Sequence, residues 1–156
     1  MLEGEGTFPK KIWEVASGRG DLSKRLIELG YEVKSTDLYE RGFGESGIDF
    51  LGQKELWDGY ILTNPPYALA QEFVEHALDL ILPGNKIFMF LKIQFLEGKK
   101  RKRLYDTKQL KTVYVSRSRI NCFRNGMRET AQNAVCYCWF VWEKGYCGDP
   151  IIKWIN

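Results

Sequence analysis

Asn64-Pro65-Pro66-Tyr67 is the stretch whose residue types offer the most chemistry. It follows the apolar run Gly59-Tyr60-Ile61-Leu62 and precedes residues 68–74, which have the spacing of a helix start. Each proline ring fixes φ and removes an N–H donor. Pro65 also pushes Asn64 towards extended backbone. The result is a stiff loop presenting an amide side chain, two carbonyls from residues without an N–H, and one aromatic face. Such a loop suits a flat substrate that bears an amino group. A rigid proline turn with a surface tyrosine is the plainer alternative.

A second set lies upstream. Glu14-Val15-Ala16-Ser17-Gly18-Arg19-Gly20 has the strand–turn–helix layout of a nucleotide site, with only two glycines of the G-x-G-x-x-G fingerprint. Glu14 puts negative charge where a phosphate would be repelled, which favours a nucleoside ligand carrying positive charge. Asp37, nineteen residues after Gly18, stands near the offset of a ribose-binding acid, and it equally suits a strand-end cap. Asp49-Phe50 offers an acceptor for an adenine amino group and a ring to pack on it; a strand end with Phe50 in the core is the even alternative. Lys99-Lys100-Arg101-Lys102-Arg103 is a run of five cations, followed by Arg117, Arg119, Arg124 and Arg128. Such a run is often a solvated face. Its place after a central strand, close to the substrate side, favours phosphate contact.

Positioning these groups requires alternating elements. The patterns predict strands at 11–16, 31–36, 48–51, 57–63, 86–91, 111–116 and 135–142, and helices at 21–29 and 71–82. Residues 96–108 read as a partly helical basic segment, and 151–154 as an edge strand or tail. The expected fold is α/β: a Rossmann-like, doubly wound, mostly parallel sheet with a C-terminal antiparallel hairpin. Ligands in such sheets bind beyond the carboxyl ends of the strands, near the switch point. The single histidine, His76, is expected on a helix surface.

The length of 156 residues suits one domain, and no apolar run approaches a membrane span of about 20 residues. The acidic N-terminus lacks a signal-peptide core, so the cytoplasm is the expected compartment. Cys122, Cys136, Cys138 and Cys147 are expected to stay reduced there, and their spacing matches no zinc pattern, so no metal is expected. Charge is split. Residues 1–91 hold nine basic and fifteen acidic side chains, residues 92–156 fourteen and five. The second half is therefore the one to meet phosphate, with nucleic acid as the expected partner.

Together these residues resemble the class I S-adenosylmethionine-dependent methyltransferases. Asn64-Pro65-Pro66-Tyr67 resembles the catalytic motif of the amino-methyltransferases, above all the adenine-N6 DNA enzymes. Gly18-Arg19-Gly20-Asp21-Leu22 and Phe95-Leu96-Glu97-Gly98-Lys99-Lys100-Arg101 look like small phage-associated members. The motif order covers nearly the whole chain. The resemblance implies the class I methyltransferase fold, S-adenosylmethionine as cofactor, and methyl transfer to adenine N6 in DNA. It implies that Glu14, Ala16, Gly18 and Gly20 line the methionine part of the cofactor, Asp37 the ribose, and Asp49 with Phe50 the adenine. Asn64 and the Pro65 carbonyl would accept from the target amine, with Pro66 stiffening the loop and Tyr67 stacking on the base. Lys99, Lys100, Arg101 and Arg119 would meet phosphate, and Phe123 would pack on the flipped base. The same loop serves enzymes that methylate a protein glutamine or an RNA base, and a non-catalytic nucleic-acid-binding module stays open.

Two departures from the family stand out. The lead before the first strand is short, so the helix that covers the cofactor's methionine end is expected to be abbreviated. Residues 1–156 read as a single catalytic domain without a separate target-recognition domain. Recognition is left to the loops at 98–110 and 117–133 or to a partner protein.

Overall fold

Runs rich in branched and aromatic residues fold into one seven-stranded sheet. The computed structural model describes Met1, Glu5, residues 11–118 and residues 135–155. The strands are β1 (Lys11–Glu14), β2 (Glu32–Ser35), β3 (Tyr60–Thr63), β4 (Lys86–Lys92), β5 (Leu110–Ser116), β6 (Tyr137–Glu143) and β7 (Ile151–Ile155). Their order is β2-β1-β3-β4-β6-β5-β7. β1 to β4 are parallel neighbours, β6 runs against both β4 and β5, and β7 is parallel to β5. Parallel neighbours need a crossover. α1 (Asp21–Glu28) supplies it between β1 and β2, and α2 (Ala70–Leu80) between β3 and β4. The short α3 (Lys102–Asp106) lies between β4 and β5.

β3 is buried at all four positions and β4 at all but its last, the pattern of strands covered on both faces. On one face Phe73, Val74, Ala77 and Leu78 of α2 pack with Trp13, Ile61, Met89, Phe140 and Trp142. On the other, Leu26 of α1 packs with Ile12, Leu62, Phe88, Tyr114 and Val141. The expected antiparallel hairpin is β5 with β6, and residues 151–154 lie in β7 on the open edge of the sheet.

Two expectations are corrected. No strand forms at 48–51. Asp49 instead accepts from the Leu51 N–H at 3.0 Å and caps a 3-10 turn at Phe50–Gly52. A short acid that bonds its own backbone competes with a strand ladder. His76 is half-buried rather than on the surface. Its ring meets the edge of Phe50 at 5.0 Å, and its Nε2 is buried without a hydrogen bond, because α2 lies against that turn. Cys136 and Cys138 do share a face, Sγ to Sγ 3.9 Å. Burial, and then Cys136, push the Cys138 thiol up to about 12, so it stays protonated. Among the described residues no group of three or more His, Cys, Asp or Glu could hold a metal ion, and no helix is long and apolar enough to cross a membrane.

A buried ion cluster closes the end of the sheet where β4 begins. Lys86 Nζ donates to Glu5 Oε2 at 3.0 Å and to the Glu5 carbonyl at 2.8 Å, while Tyr114 Oη donates to Glu5 Oε1 at 2.5 Å. Burial raises the Glu5 pKa, but the hydrogen bonds from Tyr114 and Lys86 outweigh it and hold the carboxyl below its ordinary value. Tyr114→Phe is expected to lower stability by about 1.5 kcal/mol, the contribution of a hydrogen bond to a charged group. Urea unfolding checks it.

Candidate active site

The chain runs from β1 outward to β2, then crosses back to β3 on the other side of β1. The switch point therefore lies between β1 and β3, where the turn after β1 adjoins the loop after β3. Gly18 and Gly20 both hold positive φ, 55° and 78°, a region that favours glycine. A Cβ on Gly18 would meet nothing within 4 Å, so the backbone there is open to close approach. A Cβ on Gly20 would lie 2.2 Å from the Phe43 ring. Gly20→Ala is expected to cost about 1–2 kcal/mol through backbone strain alone. Adding Phe43→Ala should recover only the steric part of the loss, as denaturant unfolding of both variants would read.

The turn is stitched to the end of β2. The Ser17 N–H donates to the Thr36 carbonyl at 3.0 Å, and the Gly18 N–H to Asp37 Oδ2 at 2.8 Å. Asp37 Oδ1 accepts from the Tyr39 N–H at 2.9 Å and stands 3.7 Å from Arg41 Nε. Asp37 is thus a cap in this structure. A carboxylate has about four acceptor sites, so room remains for a hydroxyl.

Glu14 is only 2% exposed. Its carboxyl accepts from Ser23 Oγ, which in turn lies 2.6 Å from Ser35 Oγ. Burial pushes the Glu14 pKa up to about 7; Ser23 opposes the shift, and Asp21 and Asp37 add to it. No ion pair reaches Glu14 among the described residues. A buried acid beside two others, with no cation, is a place for a positively charged ligand group and a poor one for phosphate. Ala16 is half-buried beside it, and Asp49 is exposed. Phe50 is buried, in ring contact with Trp13, Phe73 and His76.

After β3 the chain presents Asn64 to solvent, buries Pro65, and exposes Pro66 and Tyr67. The Asn64 amide makes no hydrogen bond among the described residues. Residues Tyr67–Leu69 form a 3-10 turn that feeds α2. The Tyr67 ring lies 5.9 Å from that of Tyr137, and Lys92 Nζ stands 5.6 Å from the Tyr67 centroid. Phe90 stacks on Tyr137 at 5.5 Å. Tyr67 and Tyr137 are in contact, so the two rings leave no slot between them for a flat ligand.

The sequence reading did not single out Lys92 or Tyr137. They are partners in the β4–β6 ladder. Lys92 had a signal, as the first charge after the apolar run 87–91; Tyr137 had none, since its partner strand is set by long-range pairing. Lys99 and Lys100 are exposed, and the Lys100 carbonyl accepts from Gln71 Nε2 at 3.5 Å. That bond holds the basic segment against the start of α2, next to the Asn64 loop. Arg101 turns back instead. Its guanidinium donates to the carbonyls of Phe95 (3.2 Å) and Glu97, and sits over the Phe95 ring. Arg119, Phe123, Arg124 and Arg128 lie outside the described residues.

No protein-family model matches the chain, and no curated protein is detectably similar in sequence. Solved structures do share its architecture. A protein assigned as a class I S-adenosylmethionine-dependent methyltransferase, from Listeria monocytogenes, superimposes with a TM-score of 0.65 at 11% identity over 93% of this chain. The chain spans 58% of the length of that protein. A protein assigned as an O-methyltransferase, from Agrobacterium tumefaciens, gives 0.67 at 10% identity, covering 96% of this chain and 81% of its own. A protein assigned as a hemolysin, from Lactococcus lactis, gives 0.62 at 11% identity, covering 94% and 84%. The chain has the class I methyltransferase fold. At such identities the likeness shows the fold alone, and function has to be argued from the site.

Proposed function

We propose that this chain transfers a methyl group from S-adenosylmethionine to the exocyclic amino group of a nucleic-acid base, adenine N6 in DNA. The observation that carries this reading is the loop after β3: an exposed Asn64 whose amide makes no hydrogen bond among the described residues, beside the carbonyl of a buried Pro65 and the partly exposed ring of Tyr67. An amine conjugated to a ring is a poor nucleophile. The Asn64 side-chain carbonyl and the Pro65 carbonyl accept its two hydrogens and draw the lone pair out of the ring. Tyr67 supports the base from one side. When bound, the cofactor supplies a methyl group already activated on a sulfonium, so a strong general base is not needed. The proton shed by the nitrogen passes to solvent beside Asn64. Catalysis is then positioning and electrostatics.

The acidic residues at the end of β1 and after β2, with Asp49, support the cofactor reading. Glu14 takes its ammonium, Asp37 its ribose hydroxyls and Asp49 its adenine amine, with Ala16, Gly18, Gly20 and Phe50 along its path. Two of the three structural neighbours described are assigned as methyltransferases, which supports the reaction class. Lys99 and Lys100 meet phosphate, in keeping with the positive second half of the chain. A base inside a duplex has to be drawn out of the stack to reach Asn64.

The test is incubation with labelled S-adenosylmethionine and, separately, DNA, RNA and cell protein. Label is expected in DNA, as N6-methyladenine after digestion and chromatography. Label in protein alone would refute the nucleic-acid substrate. Cofactor bound in calorimetry with no label anywhere would leave a non-catalytic module.

A further inference from the structure

Three large apolar side chains stand exposed on the turns that follow β3 and β4: Tyr67 at 39%, Leu69 at 42% and Leu96 at 40%. Leu69 closes the 3-10 turn that Tyr67 opens. Leu96 closes the turn Ile93–Leu96 that leaves β4. β3 and β4 are paired through Thr63 and Met89, so the turns that leave them share one rim. The Lys92–Tyr67 ring contact joins the end of β4 to the turn that follows β3. Neither leucine is needed by the core, because Ala70 and Phe95, their chain neighbours, are the ones that enter it. The exposed Lys92, Lys99 and Lys100 lie on the same rim. A single exposed leucine is ordinary. Two of them, on the rim that also carries Tyr67 and three exposed lysines, place apolar side chains in a surface complementary to phosphate.

We propose that Leu69 and Leu96 form a wedge that fills the gap in a DNA duplex when a base is drawn out onto Tyr67, with Lys92, Lys99 and Lys100 seated on the flanking phosphates. This rests on the amino-methyltransferase reading above. Drawing a base out costs its stacking and pairing, and an apolar side chain between the base steps replaces part of that loss. The lysines supply attraction without regard to sequence, which suits a surface that needs no base-edge readout to engage DNA. In a strand that is already single no gap forms, and the wedge has nothing to fill.

The experiment measures label transfer to bacterial genomic DNA free of adenine methylation, native and heat-denatured. The unaltered protein labels both. In Leu69→Ala/Leu96→Ala the native-to-denatured ratio is expected to fall about tenfold, the effect of losing part of the few kcal/mol of unstacking compensation. Leu96→Met in an otherwise unaltered chain, which keeps an apolar wedge, should keep most of the ratio. An unchanged ratio overturns the wedge and leaves the methyl transfer standing, as does an unaltered protein that labels denatured DNA alone. An unaltered protein that labels neither form rejects the underlying reaction, and the wedge with it. If the double variant labels neither, the two single leucine-to-alanine variants are read by the same ratio.

Discussion

Asn64→Ala is expected to lower the rate of methyl transfer about a hundred- to a thousandfold, with cofactor affinity held within about twofold. The size follows from the role. A preorganised acceptor that acts on the reacting nitrogen contributes in the transition state and little in the ground state. The selectivity follows from the structure. Asn64 is exposed and its amide makes no hydrogen bond among the described residues, so truncation leaves none of them with a buried group unsatisfied. Single-turnover kinetics with saturating cofactor would measure the first quantity and calorimetry the second. A large loss of cofactor binding would place the amide against the cofactor and not against the target amine.

Glu14→Gln should have two opposite effects: a more stable free protein above pH 7 and a weaker cofactor complex. The Glu14 carboxyl holds its proton up to about pH 7 in the folded chain, against 4.5 for an ordinary glutamate. The folded state therefore binds more protons than the unfolded state between those values. Its contribution to stability is present below pH 4.5, falls as pH rises to about 7, and is flat beyond. At about 1.4 kcal/mol per pH unit, that is on the order of 3 kcal/mol. Glutamine mimics the protonated acid, keeps an acceptor for Ser23, and should abolish the slope. Urea unfolding at pH 5 and pH 8 for both proteins measures it.

The cofactor argument runs the other way. A cation entering beside Glu14 favours the ionised carboxyl, so binding below pH 7 should release a proton. Calorimetry in buffers of different ionisation enthalpy detects that release directly. Glu14→Gln should lose it and bind the cofactor at least about tenfold more weakly, the loss of one partly buried charge pair. Unchanged affinity without proton release would make Glu14 a strut to Ser23 only. Proton release with weaker binding in the variant would mark the arrangement as a stability cost retained at a binding site, the usual place for a perturbed acid.

Much of this chain is written locally. The glycines after β1, the helical spacing of α1 and α2, and the apolar runs of β3 and β4 depend on neighbours a few residues away, so the sequence alone placed them. The stiffness of Asn64-Pro65-Pro66-Tyr67 is likewise covalent, since proline rings fix φ whatever surrounds them. Residues 48–51 show the limit of that reading: a strand-like composition gave way to a cap that Asp49 makes with its own backbone.

What a side chain faces is not local, and there only the tertiary structure could decide. Lys99 and Arg101 stand two residues apart in one basic run, yet Lys99 is exposed while Arg101 is folded onto the carbonyls of Phe95 and Glu97. Asp37 carries the right offset for a ribose acid, but the sequence could not show that two backbone N–H groups already occupy it. Tyr137 reaches Tyr67, seventy positions away in the chain, only because β6 enters the sheet between β4 and β5. Glu14 is the sharpest case. Its position at the end of β1 was plain in the sequence. Its proton depends on desolvation and on acids brought in from other elements, and those exist only once the chain has closed around it.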